Sequence, residues 1–266
     1  MTEKMNNQSN IDRFSGFADT YDRYRPAAPG IVAEVVRLYL GKMPATVVDI
    51  GCGTGLSTLL WREVAAAVVG IEPNGDMRAV AQSKAAECKN VRFIKGYSNA
   101  TGLAAQSVDV VTISQAFHWM DHDTTLTEAA RILKPGGILA VYDCDWPPVL
   151  DWQIEKEYHR LHSLCNEISL RATPSVDRKD KSKHLAAIQG CGLFSYVREL
   201  VFHHAEPMDA DRMAGILLSQ GGIQAALTAD ERVKPELERF AAFVRERMGT
   251  QTTMALFSYR MRLGIR

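Results

Sequence analysis

The sequence predicts an α/β protein: a doubly wound, mostly parallel seven-stranded sheet with helices on both faces. Near-continuous apolar segments at 46–50, 67–71, 91–95, 108–114 and 137–143 alternate with helix-patterned stretches at 56–64, 75–88 and 124–133. That rhythm belongs to strands buried on both faces by crossover helices. Two further strand patterns, at 196–203 and 253–263, close the sheet and favour one domain over two.

The remaining elements follow in order. Residues 1–10 are polar and read as an unstructured tail. Two helical patterns follow, Phe14/Phe17/Tyr21 and Ile31/Val35/Leu38, broken by Pro26 and Pro29, and residues 1–40 are expected to form a helical lid. The main domain is expected over 41–266 with a helical cap inserted at about 147–195, where charge, His and Gln mark surface helices. Helices are read near 209–218 and 230–248.

The chain has 266 residues, 46% of them apolar, with 31 Lys+Arg against 31 Asp+Glu. Balanced charge gives no electrostatic footprint for nucleic acid. No apolar run approaches the ~20 residues that span a bilayer, and the first residues lack a leader's apolar core. The five cysteines are scattered and never form a Cys-x-x-Cys pair. They read as reduced thiols of a cytoplasmic protein, with neither a zinc site nor a disulfide framework.

The segment Val47-Val48-Asp49-Ile50-Gly51-Cys52-Gly53-Thr54-Gly55 is a buried strand that ends in a carboxylate and a glycine turn. Glycines admit positive φ and the close approach of a ligand, and the helix that follows offers free amides. The next strand ends in Glu72, 23 residues beyond Asp49, where a carboxylate can accept both ribose hydroxyls. The spacing is Gly-x-Gly-x-Gly rather than the phosphate-binding Gly-x-Gly-x-x-Gly, and Asp49 in front would repel a pyrophosphate. A ligand with a cationic end suits it better.

With Leu133-Lys134-Pro135-Gly136-Gly137 before a strand, these segments resemble the class I S-adenosylmethionine-dependent methyltransferases, whose fold is Rossmann-like. The motifs Phe14…Tyr21…Tyr24-Arg25-Pro26 and Gln115-Ala116-Phe117-His118-Trp119-Met120-Asp121 resemble the subgroup of trans-aconitate methyltransferase, whose members methylate small molecules. The resemblance implies S-adenosylmethionine as cofactor and S-adenosylhomocysteine as product. It places Asp49, Gly51, Cys52, Gly53, Thr54, Gly55 and Gln115 at the methionine portion, and Glu72 on the ribose. Pro73, Met77, Tyr97, Ser98 and Asn99 fall at the adenine side. Tyr97 stands where the family commonly has an Asp for the adenine amino group, which shifts that task to Ser98, Asn99 or backbone amides.

For the acceptor, Tyr21, Arg25, His118, Trp119, Asp145 and Trp146 are the candidates. His118 is the candidate general base, since an imidazole takes a proton near neutral pH; a carboxylate acceptor, already ionised, needs no base. A His that only hydrogen-bonds in the pocket wall is the plainer alternative, and His118/His122 lack an evident third metal ligand. The expected activity is methyl transfer to a small-molecule carboxylate or hydroxyl oxygen. Its rivals are an NAD-dependent oxidoreductase, which the turn spacing and Asp49 disfavour, and a non-catalytic cofactor-binding protein. No nucleic-acid or membrane partner is expected, and oligomeric state is not legible.

Overall fold

Alternate residues of each central strand feed opposite cores. Val47, Val68, Val110 and Ala140 join one buried cluster, whereas their neighbours Val48, Val69, Val111 and Val141 join the other. A strand with both faces covered needs apolar residues at every position, hence the continuous runs. The computed structural model describes residues 7–173 and 175–266.

The chain opens with three helices, α1 (Gln8–Asp12), α2 (Ala18–Tyr24) and α3 (Ile31–Leu40). Then come β1 (Thr46–Ile50), β2 (Ala67–Ile71), α4 (Gly75–Lys84), β3 (Val91–Ile94), β4 (Val108–Ser114), α5 (His122–Ile132) and β5 (Leu133–Cys144). The second half holds α6 (Trp152–Ala172), α7 (His184–Gly190), β6 (Tyr196–Met208), α8 (Ala210–Leu218), α9 (Gly221–Ala229), α10 (Val233–Met248) and β7 (Thr253–Ile265). One seven-stranded sheet results, in the order β3-β2-β1-β4-β5-β7-β6. Its first five strands are parallel, and β7 is antiparallel to both β5 and β6. The order reverses between β1 and β4, and such a switch point leaves a crevice at the carboxyl ends of the strands.

Several expectations need correcting. The tail proposed for residues 1–10 gives way to α1 from Gln8, capped by the Asn7 side chain accepting from Ser9 N; residues 1–6 lie outside the described residues. In α3 the buried face is Val32 and Val36, with Ile31 and Leu38 exposed. The helix expected over 56–64 is a shorter 3₁₀ turn, Thr58–Glu63. Ser57 and Thr58 donate their hydroxyls down to Asp49, which draws the turn inward. Around the cleft α6 packs on α9 and α10, and α2 on α8. Apolar stripes explain that docking: Ile154, Tyr158, Leu161 and Cys165 of α6 are buried, as are Ile223, Leu237, Phe240 and Val244.

Candidate active site

At the switch point the β1 turn, the ends of β2 and β4, α1 and the 177–181 segment enclose a cleft, concave and lined by both apolar and polar side chains as small-molecule sites are. Gly51, Gly53, Glu72, Pro73, Met77, Ser98 and Gln115 line it from the sheet side. Tyr21 and Arg25 line it from α2 and its end, and His118, Trp119 and Trp146 from the turns that follow β4 and β5. A smaller adjoining cavity is bordered by Cys52, Thr54, Tyr21, Arg25 and Gly53. Asp49, Gly55, Tyr97, Asn99 and Asp145 border neither.

Asp49 instead braces the turn from beneath. It is fully buried and accepts from Ser57 Oγ (2.6 Å), Thr58 Oγ1 (2.7 Å) and Thr112 Oγ1 (2.8 Å). Burial pushes its carboxyl pKa up, and the three hydroxyls oppose that rise. Gly51 has φ +71, and a Cβ there would lie 2.7 Å from Met120 Cε and 2.8 Å from Ala116 Cβ. Gly55 serves packing, since a Cβ would meet Phe93 Cζ at 2.9 Å.

Glu72 is 8% exposed at the tip of β2. Its Oε2 accepts from Gly53 N (2.9 Å) and its Oε1 from Asn74 N (2.8 Å). Each oxygen has a second lone pair to offer. Burial lifts its pKa to about 7 against the pull of those two amides. Thr54 Oγ1 is buried with no hydrogen-bond partner, beside the glycine turn. Gln115 takes a left-handed φ of 53°, costly for a residue with a Cβ, and its Oε1 accepts from Lys181 Nζ at 3.1 Å.

His118 Nδ1 lies 3.6 Å from Asp143 Oδ1, too far for a hydrogen bond. Burial, aided by Lys181 and Arg178, lowers its pKa to about 3, so the imidazole is neutral across the physiological range. His122 stacks on Phe117 with ring centroids 4.1 Å apart. Among the described residues no group of three His, Cys, Asp or Glu is placed to hold a metal.

Asp143, near the end of β5, is the hub of a buried network. Its Oδ2 meets Arg262 Nη1 (3.0 Å) and His184 Nδ1 (3.1 Å), its Oδ1 is ion-paired with Lys181 Nζ (3.1 Å), and Arg262 also reaches Glu199 at 2.8 Å. Burial alone would raise its pKa; Lys181, His118 and His184 hold it well below the ordinary carboxylate range. The sequence carries one hint of this network, since Arg262 interrupts an apolar terminal strand and so needs a buried partner.

The cap contributes residues that the sequence did not nominate. Asn10 is 5% exposed; its amide donates to the carbonyls of Trp119 (2.9 Å) and Asp177 (2.7 Å), and its Oδ1 accepts from Asp177 N (3.0 Å). Lys179 N donates to His118 O at 2.8 Å. Arg13, Arg178 and Lys181 are thereby gathered on the cleft wall.

Comparison with known proteins agrees with this geometry. The family model for the methyltransferase domain matches residues 48–141. A probable S-adenosylmethionine-dependent methyltransferase, CRG1, of Saccharomyces cerevisiae is 29% identical over 137 residues, which cover 50% of this chain and 47% of that protein. The ubiquinone/menaquinone biosynthesis C-methyltransferase UbiE of Campylobacter jejuni is 33% identical over 150 residues, 50% of this chain and 62% of that one. The chain thus spans about half the length of the first of these relatives. Among solved structures, a putative type II methyltransferase from Anaeromyxobacter dehalogenans superposes with a TM-score of 0.67 at 22% identity, covering 91% of this chain and 98% of that one. That likeness establishes the fold. The family match, over the glycine turn, Glu72 and β4, makes residues 48–141 similar to the methyltransferase domain.

Proposed function

We propose that the chain transfers a methyl group from S-adenosylmethionine to an oxygen of a small-molecule acceptor, a carboxylate or hydroxyl. The observation that carries this reading is one cleft holding both Glu72 beside the bare glycine turn and, from the turns that follow β4 and β5, His118, Trp119 and Trp146.

The residues present fit the cofactor. Gly53 has φ +55 and nothing within 4 Å of where its Cβ would sit, so the turn leaves open space above its backbone. Thr54 Oγ1 is a buried polar atom that wants a partner. Glu72 keeps lone pairs for two hydroxyls, and Pro73, Ile71, Met77 and Ser98 supply an apolar slot with one polar edge. When bound, S-adenosylmethionine supplies an electrophilic methyl that the acceptor oxygen takes in line, the sulfur keeping the electron pair and leaving as S-adenosylhomocysteine.

The protein's own part is alignment and exclusion of water, where effective molarities of ~10⁵–10⁸ M are attainable. Glu72 accepts from the ribose, and Gln115 and the glycine turn border the methionine portion. Arg25 is held by Ser219 (2.8 Å to Oγ) and stacks between Tyr21 and Trp146 at 4.9 and 4.5 Å, closing the cleft above the turn. His118, neutral, orients the acceptor by hydrogen bonding. An acceptor carboxylate is already a nucleophile and gives up no proton, which suits an imidazole of such low basicity.

Calorimetric titration with S-adenosylhomocysteine, and separately with NAD, tests the reading. Micromolar binding of S-adenosylhomocysteine alone is expected; binding of NAD in its place would overturn it.

A further inference from the structure

The charges of the cleft are unevenly placed. Among the described residues four cationic side chains line it, Arg13, Arg25, Arg178 and Lys181, against a single carboxylate, Glu72, in a chain of formal net charge zero. Lys181 is already paired with Asp143, and Arg25 is engaged by Ser219 and two aromatic rings. Arg13 and Arg178 differ. Among the described residues neither guanidinium is hydrogen-bonded or ion-paired to a carboxylate, Asp143 reaching Arg178 only through space, and Arg13 Nε is buried without a partner. Elsewhere arginines such as Arg131, Arg160 and Arg232 do find carboxylates.

The two guanidiniums share one platform. Their central carbons lie 4.6 Å (Arg13) and 5.6 Å (Arg178) from the centroid of the Trp119 ring. Burial, then repulsion from Arg178, lowers the pKa of Arg13 to about 10. Two like charges brought together away from carboxylates are unfavourable until an anion joins them. The fold makes room for the arrangement. A Cβ on Gly221 would lie 2.9 Å from Arg13 Nε, and one on Gly222 would lie 2.8 Å from Asn166 Oδ1. The Asn10 hydrogen bonds hold α1, Trp119 and the 177–181 segment together, so both arginines face the same space. Phe14 stands edge-on to Trp119 with centroids 5.8 Å apart, and the two rings give the cleft beside the arginines one aromatic wall.

We propose that Arg13 and Arg178, over the face of Trp119, form an oxyanion subsite that anchors a planar, negatively charged acceptor, a carboxylate or a phosphate ester. This rests on the methyl-transfer reading for the word acceptor; the anion subsite itself stands on the arginines. Guanidinium forks match either oxyanion bidentately and stack on its conjugated body.

The test is calorimetry on the full chain with three probes: cinnamate, phenylphosphate and the neutral cinnamamide, each with and without saturating S-adenosylhomocysteine. At least one anion is expected to bind ten times or more tighter than the amide. Arg13→Gln and Arg178→Gln should each weaken that anion about tenfold or more, while affinity for S-adenosylhomocysteine stays within about twofold and certifies the fold. The two anions distinguish a carboxylate from a phosphate ligand. The proposal is overturned if the amide binds as tightly as both anions, if neither anion binds, or if the double variant binds them unchanged. Arginine-dependent anion binding without S-adenosylhomocysteine binding would instead sink the cofactor reading and leave the subsite standing.

Discussion

Replacing Asp143 with Asn removes one negative charge and little volume from a site where Asp143 is 2% and Arg262 3% exposed. Breaking a buried ion pair by neutralising one partner costs about 3–5 kcal/mol, because the other charge stays desolvated. Arg262 keeps Glu199 at 2.8 Å, and Lys181 has a quarter of its side chain in solvent. The loss therefore falls at the low end, about 3 kcal/mol, or roughly 6–12 °C in Tm for a chain of this size. Urea unfolding of Asp143→Asn against the parent at pH 7 measures it. The sign with pH is fixed by the depressed carboxyl. Its stabilisation is present above the ordinary value of 3.8 and is lost as pH falls through the lower folded value. The parent and the variant should thus converge in acid. Adding Arg262→Leu to Asp143→Leu should recover more than half of the loss. A Tm change under about 3 °C, or a difference that persists unchanged to the lowest pH, would refute the reasoning.

Three more outcomes are expected. Glu72→Ala should weaken S-adenosylhomocysteine about 10–150-fold through lost charged hydrogen bonds; an unchanged dissociation constant refutes the ribose assignment. Because the Glu72 carboxyl titrates near 7, affinity in the parent should rise from pH 6 to pH 8, and a flat profile by calorimetry would count against the same contact. His118→Ala should lower kcat several-fold while leaving cofactor affinity nearly intact, and kinetics with an identified acceptor decide it. Gly51→Ala should cost roughly 1–3 kcal/mol by urea unfolding, since it adds a Cβ at positive φ against Ala116.

The sheet was legible because burial on both faces writes itself into local sequence: β1, β2 and β4 match their expected spans residue for residue. Glu72 was legible because its position follows from strand length and turn. What could not be read were juxtapositions across the chain. Asn10 meets Asp177 over 167 residues, and no local pattern encodes that meeting. Arg13 and Arg178 are unremarkable in sequence and become a pair only once α1 folds onto the cap. Asp49 was nominated for the ligand because a strand-end carboxylate is visible in sequence, whereas the Thr112 hydroxyl that binds it comes from β4, 63 residues away. The α3 face was misread for a different reason. Ile31, Val35 and Leu38 fit the helical period, but Val32 and Val36 fit it equally, and the packing partner chooses between them.

The Asn10 knot also bears on motion. Its three side-chain hydrogen bonds join α1 to segments 109 and 167 residues away across the rim of the cleft. Undoing them costs about 0.5–1.5 kcal/mol each, so a state with this rim parted is populated on the order of 0.1–10% of the time. Any opening of the cleft along this rim must break those three bonds together, so Asn10 ties the movement of α1 to that of the Trp119 turn and the 177–181 segment.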